Sequence, residues 1–306
     1  MSSISIEKVN DYTFMIDLNP KGIRKFIASY ILRGEKTAII ECGPTSSTEN
    51  LLEGLEKLGV EREEISYVMV SHIHLDHGGG AGALLKHLPN ARLIVHPRGL
   101  PHLANPQKLW SQSRQVLGKI AEIYGKPFPV PSERMIPAKD GMNVNLGNGI
   151  NVKIIETLGH ASHHVSYYDS KGEIVFPGDA AGIYVKDLDI ILPTTPPLLV
   201  LDKTLESIEK LAGLNPKMLC YTHFGPASDA VNKLRAYASQ LRLWASVIRE
   251  CLKKNEDSET MKKRIIEKDS AARLAAKYFG NHPIMSDMFT RDIQGFIAYF
   301  ERYGLE

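Results

Sequence analysis

The sequence predicts an α/β fold, because short strand-like runs alternate with helices up to about residue 225. From about Asp229 onward helix-forming stretches dominate, which predicts an all-helical continuation. The 306 residues suffice for one large domain or a domain with a smaller appendage. Hydrophobic content of 43% and charged content of 24% are those of a folded globular chain and exclude disorder.

Strands are expected near residues 4–9, 13–16, 27–32, 37–41, 65–70, 92–95, 152–156, 164–168, 174–176 and 218–221, each a short apolar or β-branched run bounded by turn residues. Thr48 and Glu49 open a stretch with Leu51, Leu52, Leu55 and Leu58 at helical spacing, and Gly59 closes it. A second helix is expected after Gly80 and a third over residues 108–124. Helix formers then fill residues 233–254 and 271–278. Residues 253–268 are rich in charge and read as a solvated helix face or a connecting turn. The expected division is a catalytic, metal-binding domain at residues 1–226 and a helical appendage at 227–306. No repeat or low-complexity tract interrupts either part.

A formal net charge of +2 offers no electrostatic basis for nucleic acid or an acidic membrane as the main partner. No apolar run approaches the roughly 20 residues that span a bilayer, and Pro193, Pro196 and Pro197 break up the longest candidate. Residues 1–10 lack the charged, apolar and small-residue zones of a secretory signal. Cys42, Cys220 and Cys251 are far apart and form no C-x-x-C pair, so neither a disulfide framework nor a thiolate zinc site is indicated. The expectation is a cytoplasmic protein acting on a small-molecule substrate, with no membrane, nucleic acid not favoured, and self-association into a homo-oligomer left open.

The chemistry concentrates in Ser71-His72-Ile73-His74-Leu75-Asp76-His77, which follows the strand expected at 65–70 and so lies on a loop at a sheet edge. In extended chain, residues two apart point to one side, so His72 and His74 can aim at one ion. Asp76 and His77 precede Gly78-Gly79-Gly80, where the chain can turn sharply and place them beside a second position. A single histidine on an apolar stretch usually packs and hydrogen-bonds. So dense a set of nitrogen and oxygen ligands is instead what borderline divalent cations such as zinc require.

His72, His74, Asp76 and His77 match the H-x-H-x-D-H signature of the metallo-β-lactamase-fold hydrolase superfamily, which this sequence resembles over most of residues 27–225. Leu158-Gly159-His160, Phe176-Pro177-Gly178-Asp179 and Cys220-Tyr221-Thr222-His223 match, in order, that family's later histidine, aspartate and histidine. The resemblance implies a four-layer αββα sandwich, here with a C-terminal helical extension. It implies that His72, His74 and His160 bind one metal, that Asp76, His77 and His223 bind a second, and that Asp179 bridges them. A carboxylate has two oxygens to span two cations, which agrees with that bridging role. His163 and His164 are read as partners or core residues beside His160, and His87, His96, His102 and His282 as packing residues. Where the family has an aspartate after an early strand that helps hold the metal loop, this chain has the longer Glu41 in Glu41-Cys42-Gly43, a departure that bears on the support of the loop and not on the ligand set.

The implied cofactor is two divalent metal ions, zinc first, with iron or manganese as alternatives. The implied reaction is hydrolysis by a metal-bridging hydroxide of an ester, thioester, lactone, β-lactam or phosphodiester bond, with Asp76 and Asp179 as the catalytic carboxylates. Asp76, a bound water or His164 could protonate the leaving group. The helices after the last histidine are similar to the glyoxalase II type, which hydrolyses acyl-glutathione thioesters. That type continues from its bridging aspartate with a glutathione-binding segment containing glycine, cysteine and arginine, whereas this chain reads Asp179-Ala180-Ala181-Gly182-Ile183-Tyr184. The sequence thus resembles an archaeal, glyoxalase II-like branch with broad specificity. Two other classes stay open on the same fold, a mononuclear iron persulfide dioxygenase and an RNA-processing or interaction protein. The proline-stiffened runs 127–131 and 192–199 are expected to wall the site, with the Tyr184 phenol in reach of a substrate oxygen.

Overall fold

Alternation along the strands sorts residues between an inner and an outer face, and both faces are apolar, so each sheet must be covered twice. In the computed structural model, which describes residues 4–280, 282 and 284–305, that requirement is met by two sheets packed face to face with helices outside them. Of residues 1–10, compared above with a secretory signal, 1–3 lie outside the described residues.

The first sheet has seven strands in sequence order: β1 (Ile6–Lys8), β2 (Thr13–Asp17), β3 (Ala28–Arg33), β4 (Thr37–Ile40), β5 (Ile65–Met69), β6 (Arg92–Val95) and β7 (Met135–Pro137). It is antiparallel up to β4 and parallel from β4 to β7. The second contains β8 (Asn143–Gly147), β9 (Ile150–Glu156), β10 (Val165–Asp169) and β11 (Ile174–Phe176). A separate hairpin, β12 (Ile183–Val185) with β13 (Ile190–Leu192), precedes β14 (Met218–Tyr221) and β15 (Gly225–Ser228). The second sheet runs β15-β14-β11-β10-β9-β8, and β11 with β14 is its parallel pair.

Tyr30, Leu32 and Ile40 from the first sheet meet Val152, Ile154, Tyr167 and Phe176 from the second in the inner core. Outward residues such as Ile39, Val68, Val175 and Leu219 join a second buried cluster with the helices. Each fully buried aliphatic side chain contributes about 1.5–3 kcal/mol to this arrangement. The helices are α1 (Thr48–Lys57), α2 (Ala81–Leu84), α3 (Leu100–Ala104), α4 (Gln107–Leu117), α5 (Lys119–Tyr124), α6 (Leu201–Gly213), α7 (Ala230–Lys253), α8 (Ser258–Lys268), α9 (Ser270–Tyr278) and α10 (Met288–Tyr303). Leu234, Leu241, Trp244 and Ile248 of α7 and Ile293 and Phe296 of α10 are buried in the same cluster as Ile208 of α6 and Leu55 of α1.

Each expected strand is present with its ends within two residues, the largest differences being at 4–9, where β1 is shorter, and 152–156, where β9 starts earlier at Ile150. The expected helix at 108–124 is two helices divided at Gly118, and the one after Gly80 is a single turn. Residues 258–268 of the charged stretch are helical, with Met261 and Ile265 buried and the charged positions outward. Strands β7, β8, β12, β13 and β15 and helix α6 were not anticipated. Several of these strands have only three or four residues and pair only once their neighbours are in place.

Candidate metal centre

The candidate residues lie on loops that leave the C-terminal ends of strands. Glu41 follows β4, the His72–His77 run follows β5, Asp179 follows β11 and His223 follows β14. In open sheets this is where side chains from separate connections converge. His160 comes from the connection between β9 and β10. Backbone hydrogen bonds lock the loops across the sandwich: Val165 N–H donates to the Ser71 carbonyl and Ala28 N–H to the Thr222 carbonyl, each at 2.8 Å. The histidine run closes on itself as Gly78 N–H donates to the His74 carbonyl at 2.9 Å.

All seven expected residues come together, in three overlapping groups: His72, His74 and His160; His72, His77 and Asp179; Asp76, His77 and His223. His74 Nδ1 lies 2.8 Å from His72 Nε2 and 3.2 Å from His160 Nε2. His77 Nε2 lies 3.2 Å from His223 Nε2, which in turn is 3.6 Å from an Asp76 oxygen. Asp179 spans the groups, with Oδ1 3.2 Å from His77 Nε2 and Oδ2 3.3 Å from His160 Nε2.

Outer partners decide which ring nitrogen faces inward. His160 Nδ1 donates to the Thr194 carbonyl at 3.0 Å and His223 Nδ1 to the Phe26 carbonyl at 2.7 Å. A carbonyl only accepts, so in each ring Nδ1 carries the hydrogen and Nε2 presents its lone pair to the centre. Ser71 Oγ lies 2.9 Å from His72 Nδ1 and braces that ring. Ligand atoms about 2.0–2.1 Å from one zinc stand roughly 3.3 Å apart in tetrahedral geometry. The spacings here are close to that. Asp179 Oδ1 is shielded from solvent and receives no hydrogen bond among the described residues, as expected of an oxygen kept for a cation. The donor set therefore fits divalent metal.

The electrostatics divide the cluster. Burial and neighbouring rings push His72 well below the ordinary histidine value, and burial with His160 and His163 lowers His74 to about 3. Burial also lowers His160, against the pull of Asp179. For His77 burial acts downward too, but the Asp179 and Glu41 carboxylates outweigh it and raise the ring well above its usual range. His223 is likewise raised, with Asp76 and Asp179 overcoming burial. Burial works to raise Asp76 and Asp179, and the surrounding histidines hold both below the usual carboxylate range.

Glu41 reaches the metal loop despite its extra methylene. It adopts left-handed backbone, φ 65°, and Oε1 accepts from Ser71 N–H at 3.3 Å and lies 3.4 Å from His77 Nδ1. His163 and His164 separate clearly. His164 is fully buried, with Nε2 accepting from Asp179 N–H at 3.1 Å and Nδ1 against Thr157 Oγ1 at 2.8 Å, so it has no free nitrogen and is removed as a leaving-group acid. The Tyr184 hydroxyl donates to Asp189 on the hairpin at 2.8 Å, and its ring stacks on Tyr221. The phenol whose titration is coupled to the centre is Tyr124, at the end of α5, raised well above its usual value by burial and then by the Asp76 carboxylate. No pattern around Tyr124 in the sequence marks it.

Of the two proline-rich runs, 127–131 lies on α2, where Phe128 carries Lys86 Nζ 3.9 Å over its ring. Leu198 is 66% exposed. A small cleft opens beside His223, lined by Phe26, Ile183, Tyr184, Phe279, His282 and Met285. His282, read from sequence as a packing residue, accepts from Ile284 and Met285 N–H through Nδ1, which leaves its Nε2 as the polar atom on that wall.

Two face-to-face mixed sheets between helices, with histidine and aspartate donors gathered on their loops, define an αββα protein built to hold metal. The chain belongs to the metallo-beta-lactamase superfamily, whose profile matches residues 23–223. It is similar to the metallo-beta-lactamase fold-containing protein ST1585 of the archaeon Sulfurisphaera tokodaii, 28% identical over 221 residues, 71% of this chain and 79% of that one. The crystal structure of a metallo-beta-lactamase family protein from Thermus thermophilus superposes with a TM-score of 0.64 at 18% identity, over 91% of this chain and 89% of that one. A hydroxyacylglutathione hydrolase of Aeromonas hydrophila is 28% identical over 115 residues, 37% of this chain and 33% of its own length. Among the described residues no helix is long and apolar enough to cross a membrane.

Proposed function

We propose that this chain is a hydrolase that uses two divalent metal ions, one held by His72, His74 and His160, the other by Asp76, His77 and His223, with Asp179 shared. The observation that carries this is Asp179, one carboxylate whose two oxygens face His77 and His160 at 3.2 and 3.3 Å. The hydrolase names of partial relatives, among them a probable metallo-hydrolase of Bacillus subtilis that is 24% identical over 49% of this chain, support the same reading.

Bound there, the ions would lower the pKa of a water and polarise the oxygen of the bond to be broken. The chain's own residues orient and shield. Carbonyls of Phe26 and Thr194 hold His223 and His160 with lone pairs inward. Asp76, whose side chain is 20% exposed, lies where substrate can approach. Held ionised, it is placed to accept a proton rather than to start as a proton donor. Tyr124 stays neutral through the working pH range and supplies an O–H donor beside it.

The cleft beside His223 favours uncharged acyl compounds, that is esters, thioesters or lactones, over phosphodiesters. Its walls are largely apolar, and its two lysines are already paired, Lys25 with Asp187 and Lys186 with Glu7, each at 2.8 Å. Within this reading residues 1–226 form the catalytic part and 227–306 the helical part that completes the cleft. Metal analysis joined to a panel of esters, thioesters, lactones and phosphodiesters tests it. Two divalent ions per chain and acyl hydrolysis lost on chelation are expected. A single iron, with oxygen consumption and no hydrolysis, would overturn it.

A further inference from the structure

We propose that Asp292 of α10 is a positioning residue for the metal centre, acting through the loop between β13 and α6 on His160. The inference rests on the reading of His160 as a ligand.

The chain of contacts is short. His160 donates to the Thr194 carbonyl at 3.0 Å, so the direction of its lone pair depends on where that carbonyl stands. The next residue is gripped by α10. Thr195 N–H donates to Asp292 Oδ1 at 2.8 Å, and Thr195 Oγ1 donates to the Asp292 carbonyl at 3.0 Å. One turn along the same helix, Gly295 admits the loop: a Cβ there would stand 1.8 Å from the Thr195 carbonyl oxygen. A side chain at that position would push the loop off the helix.

The grip is rigid because α10 is itself anchored. Ile293 and Phe296 are fully buried, and Phe289 stacks on Trp244 with ring centroids 5.7 Å apart. Trp244 in turn donates to Asp269, whose carboxylate caps α9. Asp292 is nearly inaccessible to solvent, and its second oxygen has no partner among the described residues. Burying a carboxylate with half its acceptors unused costs stability that a neutral side chain would not. Packing the helix against the loop does not by itself call for a hydrogen-bond acceptor there. Fixing a peptide whose carbonyl must point at a metal-binding ring does.

Cobalt(II) titration of the metal-stripped full-length chain, followed by stoichiometry and visible spectrum, tests the proposal. Asp292→Ala is expected to weaken one of two equivalents by about 10–100-fold, the usual scale for losing a partner behind a ligand, and to alter the spectrum of that equivalent. Asp292→Asn, which still accepts from Thr195 N–H, should restore near wild-type binding. Wild-type binding of both equivalents by folded Asp292→Ala overturns the proposal. If that variant does not accumulate as folded protein, Asp292→Leu replaces it, removing the acceptor of the Thr195 N–H while filling the buried space. A fall in the same equivalent supports the proposal, and unchanged binding overturns it. His160→Ala separates the two inferences: if it too keeps both equivalents, the ligand reading fails, whereas loss in His160→Ala alone sinks only the role of Asp292.

Discussion

The Glu41 carboxylate stands 3.4 Å from Nδ1 of His77, on the edge of the ring opposite the one that faces Asp179 at 3.2 Å. His77 is thus held between two carboxylates, one orienting it and one facing the space it shares with His223. The same oxygen of Glu41 receives the Ser71 N–H, so one side chain ties both ends of the histidine loop. Glu41→Gln keeps the shape and removes the charge. Metal affinity is expected to fall about 10–100-fold with little change in fold. Equilibrium dialysis against zinc reads this directly, and an unchanged affinity would show that the loop holds itself.

Asp179→Asn keeps the outline of the side chain but leaves one oxygen where two are used. Hydrolytic activity is expected to drop at least ~100-fold, the scale on which removing one fixed polar group from a reaction centre acts. Metal content should fall towards one ion per chain. Full activity in a variant with wild-type metal content would remove Asp179 from its bridging role.

His160→Ala and His163→Ala should behave differently although the residues are close in sequence. His160 faces His74 and Asp179, while His163 has a buried Nδ1 with no partner among the described residues and meets His72 and His74 through ring contacts alone, at 6.2 and 5.7 Å. Loss of metal is expected from the first and near wild-type metal from the second. Equal loss in both, measured by elemental analysis, would reverse the assignment.

The metal-free protein should lose stability as pH falls from about 6.5 towards 4. His72, His74, His160, His163, His164 and His282 all have folded values below the ordinary one, so the unfolded chain takes up protons that the native state refuses. His77 and His223 are raised, and their contribution is already complete below 6.5 and lost only as pH rises through their folded values. Asp292, pushed up to about 7 by burial, and Asp17, also raised by burial, act in the other direction over this window, two carboxylates against six histidines. Thermal melts of the metal-stripped chain at pH 7, 6 and 5 should show a falling midpoint. A flat or rising midpoint would contradict the balance.

Gly178→Ala tests the turn that presents Asp179. Gly178 has φ 54°, and a Cβ would stand 2.5 Å from Ser71 Cβ and 2.7 Å from His164 Nε2. Strained backbone and the clash together should cost about 1–3 kcal/mol. Since Ser71 braces His72, metal binding should weaken as well. A melting temperature and metal content equal to wild type would mean the turn relaxes without moving the aspartate.

Local pattern sufficed for the histidine run and for the strands flanked by turns, because ligand chemistry and period-two burial are written within a few residues. The run from His72 to His77, the order of His160, Asp179 and His223 after it, and the helical texture beyond Asp229 are of this kind. Tertiary structure alone decided which nitrogen of each ring faces inward, since that depends on the carbonyls of Phe26 and Thr194, 197 and 34 residues from the rings they hold. It also coupled the Tyr124 phenol to the centre, tied that of Tyr184 to Asp189, and laid α10 on the loop beside His160. Side-chain direction, ring tautomer and helix docking are set by contacts between distant segments. Nothing in the sequence around either partner specifies them before the chain has folded.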